Sequence, residues 1–257
     1  MKFFRVAALS FLTFAVCHAG PVYFTSTQGE PWGVTDFTDA MIAVFGSYTT
    51  ATYETADASL FNPSTTFVFM EGGAANDTAL NTYLGNQSAS ILAWVSAGGR
   101  LMINSAGWYN SIVTGFGDVT LNQNNNSLTG NAVGSSDPIF QTPYLPVNSA
   151  LTGGVFSSDS ISGTGLTNLV TGDAGVVIVA YERYGSGLVL FSGATAPTFQ
   201  NPQPDSFNLL NNELVFASTA AVNSTNSLNP VPEPTSLVLL GAGLFCLGKF
   251  RAYRNRR

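Results

Sequence analysis

Thr66-Phe67-Val68-Phe69-Met70-Glu71-Gly72-Gly73 is the stretch on which the fold turns. Its apolar run is continuous rather than alternating, which is the pattern of a central strand buried on both faces of a parallel sheet. Arg100-Leu101-Met102-Ile103-Asn104 repeats the pattern. Between the two, Asn76 or Asp77 can cap one helix, and Ser88 or Ser90 can start another. The second carries Ile91, Leu92 and Val95 on one face and ends at Gly98-Gly99. Working outward, Val22-Tyr23-Phe24 predicts a first strand and Asp36 opens a helix with Phe37, Met41, Val44 and Phe45 at helical spacing. Tyr48 to Thr55, β-branched and aromatic, predicts a second strand.

Beyond Gly107 the pattern loosens into polar stretches, and Asn122 to Gly134 reads as an exposed loop. Regularity returns with two apolar runs, 175–181 and 188–193, around Tyr184-Gly185-Ser186-Gly187, the mark of a hairpin. Phe207, Leu210, Leu214 and Ala217 then share one face of a closing helix. This order predicts an α/β fold, three-layer, with a mostly parallel sheet of flavodoxin-like type. The Gly, Ser and Thr content would also allow an all-β sandwich.

The two ends read differently from the middle. Lys2 and Arg5 precede an apolar run from Val6 to Val16 and then Cys17-His18-Ala19, the layout of a signal peptide over residues 1–19 with cleavage after Ala19. That run is too short to span a ~30 Å hydrocarbon core. Cys17 raises a lipidated alternative, but Val16 before it is not the small residue such a site expects. At the other end, residues 223–230 read as a linker to Val231-Pro232-Glu233-Pro234. An uncharged segment from Leu237 to Gly248 follows, then five Lys or Arg side chains from Lys249 to Arg257. The prolines hold Glu233 on a stiff, accessible peptide. About 16 apolar residues reach about 24 Å as a helix, near the lower limit for a transmembrane span, and the basic tail fixes itself on the cytoplasmic side.

Residues 231–257, with these three features in this order, resemble the PEP-CTERM sorting signal, also labelled an ice-binding protein C-terminal domain. The resemblance implies an exosortase partner in the inner membrane, removal of the helix near the Pro-Glu-Pro, and a Gram-negative host that makes exopolysaccharide. Signal peptidase would process the other end.

Between the ends, residues 20–222 form the expected extracytoplasmic domain. Its only cations are Arg100 and Arg183, against fourteen carboxylates from Glu30 to Glu213, a formal charge of −12. Such a surface has no basic stripe with which to release counterions, so nucleic acid is excluded as a partner. Both cysteines, Cys17 and Cys246, and the one histidine, His18, lie in the end segments. The domain therefore has no disulfide, no Cys nucleophile, no Ser-His-Asp relay and no His/Cys zinc site. No metal or cofactor is expected. Asn-X-Ser/Thr triplets such as Asn76-Asp77-Thr78 are read as turn and cap residues.

Phe67 to Gly73, Ile91 to Ile103 and the Tyr184-Gly185-Ser186-Gly187 turn resemble the class I glutamine amidotransferase-like superfamily. In that family the strand ending here at Ile103 leads to a turn bearing a catalytic Cys, with a His later. This chain has Asn104-Ser105-Ala106-Gly107 there and no His in the domain, so the activity is not carried over.

Ligands of open α/β sheets bind at the carboxyl ends of the strands. That places Trp32, Glu71, Gly72, Gly73, Asn104 and Ser105 on one candidate ligand edge, with Trp108 as a second stacking face. Glu71 paired with Asp36 or Asp118 would be needed for glycoside hydrolysis. Ser105 lacks a His or Lys base. The expectation is a non-catalytic binding or structural protein of the cell surface or matrix, associated with exopolysaccharide. A carboxylate-dependent hydrolase and a divergent amidotransferase-like domain are the alternatives.

Overall fold

Gly20–Thr25 (β1) opens the part of the chain that the computed structural model describes, residues 20–221. The expected signal peptide, the linker at 223–230, the sorting segment with Val231, Pro232, Glu233 and Pro234, and its transmembrane helix all lie outside these residues. Then come Asp36–Phe45 (α1), Thr49–Thr52 (β2), Thr65–Glu71 (β3), Asp77–Ser96 (α2) and Arg100–Asn104 (β4). The strands that follow are Ile112–Val113 (β5), Thr120–Asn122 (β6), Ser127–Ala132 (β7), Ala150–Ser157 (β8), Ser160–Ser162 (β9), Thr167–Thr171 (β10), Val177–Tyr184 (β11) and Gly187–Ser192 (β12). Gln200–Asn201 (β13) and Gln203–Thr219 (α3) close the series.

One half of the sheet is parallel, in the order β2-β1-β3-β4-β12. From β12 the pairing turns antiparallel and continues through β11, β10, β7, β8 and β13. A small ladder of β5, β6 and β9 joins β11 through β9. The sheet is thus mixed, not mostly parallel, because residues 107–175 supply antiparallel strands. The expected loop at 122–134 is corrected in the same way: it contains β7 and the end of β6. β7 is Ser-Leu-Thr-Gly-Asn-Ala, with Ser127 and Gly130 turned inward and Leu128 half exposed. Hydrophobic alternation is absent from such a strand, so its period could not be read.

In the parallel half successive side chains enter opposite cores, as the two-residue period of a strand requires. Tyr23, Phe67, Phe69, Met102, Leu188 and Leu190 join the layer covered by α1 and α3. Val22, Phe24, Val68, Met70, Leu101, Ile103, Val189 and Phe191 join the layer covered by α2. This gives three layers, and full burial of each Leu, Phe or Met contributes about 1.5–3 kcal/mol. The two helices expected between β3 and β4 are one. Ser88 and Ser90 lie inside α2, because Leu80, Leu84, Ile91 and Val95 keep a single apolar stripe through them. The helix ends as expected at the glycine pair: Gly98 N–H donates to the Val95 carbonyl (2.9 Å) and Gly99 N–H to that of Trp94 (3.0 Å), a Schellman motif. Among the described residues no helix is long and apolar enough to cross a membrane.

Candidate functional site

The carboxyl ends of β1, β3, β4 and β12 meet where the expected edge lies, but most of the expected residues point inward. Glu71, the last residue of β3, is fully buried. Its Oε1 accepts from Gly73 N–H, and its Oε2 accepts from Asn76 Nδ2 at 2.8 Å. Asn76 in turn donates to the Gly29 carbonyl (2.9 Å) and accepts from Ser26 Oγ (2.5 Å), tying the end of β3 to the loop after β1. Burial pushes the Glu71 carboxyl up to about 8 against the two donors that oppose it; Glu30 and Asp77 add repulsion. Glu71 is therefore a tie between loops, not a group offered to solvent.

Asn104 and Ser105 are also sealed. Oriented by its neighbours, the Asn104 amide nitrogen donates to the carbonyls of Ser192 (2.9 Å) and Ala194 (3.2 Å), clamping β4 to the exit of β12. Ser105 Oγ donates to Asp159 Oδ2 at 2.9 Å. Asp159 follows β8 in the antiparallel half, and no local pattern in the sequence places it beside Ser105. Burial raises its carboxyl to about 7; the Ser105 hydroxyl and the Gly107 amide oppose that rise. A hydroxyl donating to such a carboxyl is the pairing a nucleophile needs, yet both side chains are fully buried. The carboxylates weighed as partners of Glu71 for hydrolysis each bond to a threonine. Asp36 is occupied with the amide (2.7 Å) and hydroxyl (2.9 Å) of Thr198, and Asp118 with those of Thr164 (2.8 and 3.0 Å).

What the edge does open is an aromatic cleft of about 350 Å³, lined by Trp32, Trp108, Gly154, Val155, Ser158, Thr195 and Phe199. This is within the range of small-ligand sites. Trp32 sits in a Pro31-Trp32-Gly33 turn with φ 55°, a left-handed conformation that costs a non-glycine residue roughly 1 kcal/mol. It packs edge-on to Phe199, ring centres 5.7 Å apart. Gly73 makes this seat possible: a Cβ there would lie 2.5 Å from the Trp32 ring and 2.8 Å from Glu71 Oε1. Trp108, 53% exposed, forms the opposite wall, held by its N–H to the Ala74 carbonyl (3.0 Å) and by Asp77 accepting the next two amides. Of the six expected edge residues, only Trp32 lines the cleft. Phe199, Ser158 and Thr195 come from segments with no periodic signal, which is why the sequence did not mark them. Two wider grooves, about 540 and 550 Å³, lie over α2 and beside α3. The first also takes Gln28, Tyr53, Glu54 and Ala75 from the segments after β1, β2 and β3, and neither holds a tryptophan.

Comparison with known families bears on the end of the chain that lies outside the described residues. Residues 230–257 carry the PEP-CTERM protein-sorting motif. The motif implies export, membrane anchoring before processing, and exosortase as the processing partner. No curated protein sequence matches the chain. Among solved structures, a GMP synthase subunit protein from Thermoplasma acidophilum is similar at a TM-score of 0.51 and 14% identity, over 77% of this chain and 96% of that one. A cytoplasmic protein from Salmonella typhimurium follows at 0.47 and 12%, over 78% and 99%. A β-galactosidase from Bacillus circulans sp. alkalophilus stands at 0.47 and 10%, over 79% of this chain and 30% of that one. The first likeness supports the fold expected for the middle domain, and the fold alone.

Proposed function

We propose that this PEP-CTERM protein is a non-catalytic binding or structural component of the cell surface or extracellular matrix of a Gram-negative bacterium, and that its cleft contacts exopolysaccharide. The observation that carries the reading is the composition of the cleft. Three aromatic rings line the opening together with Ser158 and with Thr195, whose hydroxyl donates to the Val155 carbonyl (2.7 Å), while the residues with reactive chemistry, Glu71, Ser105 and Asp159, are buried. Aromatic faces with a few polar groups suit the apolar and hydroxyl-bearing sides of a sugar ring.

The test is a glycan array probed with the purified protein, with release of reducing ends assayed on the same panel. Binding without turnover, lost in Trp108→Ala, is the expected result. Reducing ends from the wild type but not from Glu71→Gln would replace this reading with a hydrolase. For the processing itself, intact-mass measurement of protein extracted from the cell surface should show a chain lacking Met1 and the basic tail at Arg254 to Arg257.

A further inference from the structure

Five carboxyl residues adjoin the lining of the cleft, in sequence or by hydrogen bond, and burial pushes three of them, Glu30, Glu71 and Asp159, toward the neutral form. Glu30 precedes the Trp32 turn by two residues, and Glu71 touches the same Gly73 backbone on which the Trp32 ring rests. Asp77 accepts the amides of Tyr109 (2.6 Å) and Asn110 (2.9 Å), immediately after Trp108. Asp159 adjoins Ser158. Asp36 accepts the amide of Thr198, next to Phe199, at 2.7 Å. No lining residue is charged.

Both cations of the domain lie at the other end of the sheet. Arg183 of β11 faces Leu188 of β12, and Leu188 faces Arg100, the first residue of β4. The cleft opens beyond Asn104, the last residue of β4. Four residues of strand, about 13 Å, separate the two ends, which exceeds the Debye length of ~10 Å at 0.1 M salt. An acid group on a ligand in the cleft would therefore find carboxyls and no base. A cation would meet aromatic faces, whose quadrupole attracts positive charge, in a domain whose fourteen carboxyl residues outnumber its two cations and keep it negative even with Glu30, Glu71, Asp159 and Glu213 protonated.

Resting on the reading of the cleft as a glycan site, we propose that its ligand is a polysaccharide bearing free amino groups, with the ammonium seated against Trp108 and Trp32, and that uronate-bearing or sulfated polymers are rejected. The aromatic faces, the absence of any base beside them and the negative charge of the domain as a whole set this choice.

The test uses full-length protein in detergent and three oligosaccharides of equal length: glucosamine, N-acetylglucosamine and galacturonate. Calorimetry should give at least about tenfold tighter binding of the glucosamine oligomer than of its acetylated counterpart at low salt, a difference of about 1.4 kcal/mol. High salt should erase most of that advantage, galacturonate should not bind, and Trp108→Ala, checked for folding by circular dichroism, should abolish binding. Equal binding of the two glucosamine forms, lost in Trp108→Ala, would overturn the charge preference while leaving the glycan site standing. Galacturonate binding lost in Trp108→Ala would do the same. Binding of the amino form that survives Trp108→Ala would overturn the proposal as adhesion to the acidic surface. No binding by any of the three, with the wild type folded, would remove both the preference and the glycan reading.

Discussion

The parallel half of the sheet and its antiparallel continuation are built on different terms. In β1, β3, β4 and β12, interior residues alternate between two cores that helices cover on both sides, so nearly every side chain is apolar and buried. In β7, β8 and β10 the strands are Ser-, Thr- and Gly-rich, much of their surface is exposed, and their registers shift. The two halves nevertheless share one core. Phe69 and Met102 pack in the same cluster as Leu151, Phe156 and Val170. The polar half is thus held by a few inward-facing anchors, not by a continuous apolar run.

The most severe test of that statement removes an anchor from each half. Phe69→Ala and Phe156→Ala each delete a fully buried ring and should each cost about 3–5 kcal/mol. Urea unfolding followed by tryptophan fluorescence and by far-ultraviolet circular dichroism should show one coincident transition in both variants. Two separated transitions in Phe156→Ala would mean that the antiparallel half unfolds on its own.

A second test lies at the seam. Glu213 of α3 faces a cavity of about 10 Å³, lined from the parallel half by Asn104 and Ser192 and from the other side by Thr195 and Gln200. Burial alone raises its carboxyl to about 8, with no donor opposing. The folded protein therefore keeps a proton that the unfolded chain loses near the ordinary Glu value of 4.5. Stability should fall as pH rises from about 4.5 to about 8, on the order of 4–5 kcal/mol for this group across the window. Glu71 and Asp159 act in the same direction. Urea midpoints at pH 5 and pH 8 should differ clearly in the wild type and less in Glu213→Gln. An unchanged difference would place the pH dependence elsewhere.

This contrast also explains what the sequence disclosed. The strands at Val22, Phe67 and Leu101, the hairpin around Gly185 and the stripe Phe207, Leu210, Leu214 were legible because burial on two faces leaves an apolar record. The position of Trp32 at the strand-end edge followed from strand polarity alone. β7 left no record, since the void opposite Gly130 is filled by Phe156 from β8 and nothing local announces it. Glu71 and Asn104 close their strands and Ser105 follows, as the apolar runs before them indicate. Their direction is set by partners that no local pattern assigns to them: Asn76, legible only as a helix cap, and Ser192 and Asp159, far off in the chain. Gly130→Ala probes that hidden dependence. Its Cβ would run into the edge of the Phe156 ring, so a loss of about 1–3 kcal/mol is expected. In the Phe156→Leu background the loss should shrink, a coupling that a double-mutant cycle measures. Equal losses in both backgrounds would show that the clash is relieved by backbone movement instead.

The smallest expected stability effect belongs to the residue with the largest expected effect on binding. The cleft straddles the two halves: Trp32 reaches it from the loop after β1, while Gly154, Val155 and Ser158 come from β8 and the turn beyond it. Trp108, in the irregular segment after β4, keeps half its surface in solvent and is held mainly through its backbone. Trp108→Ala should therefore lower stability by less than about 1 kcal/mol, since little of the ring is withdrawn from water. Trp32 is packed on Gly73 and Phe199, so Trp32→Ala should cost more. Urea midpoints for the two variants, measured beside glycan binding, separate the roles. A Trp108→Ala protein that is as destabilised as Trp32→Ala would make Trp108 a structural wedge between the halves. One that keeps its stability and its binding would take the cleft out of the contact with glycan.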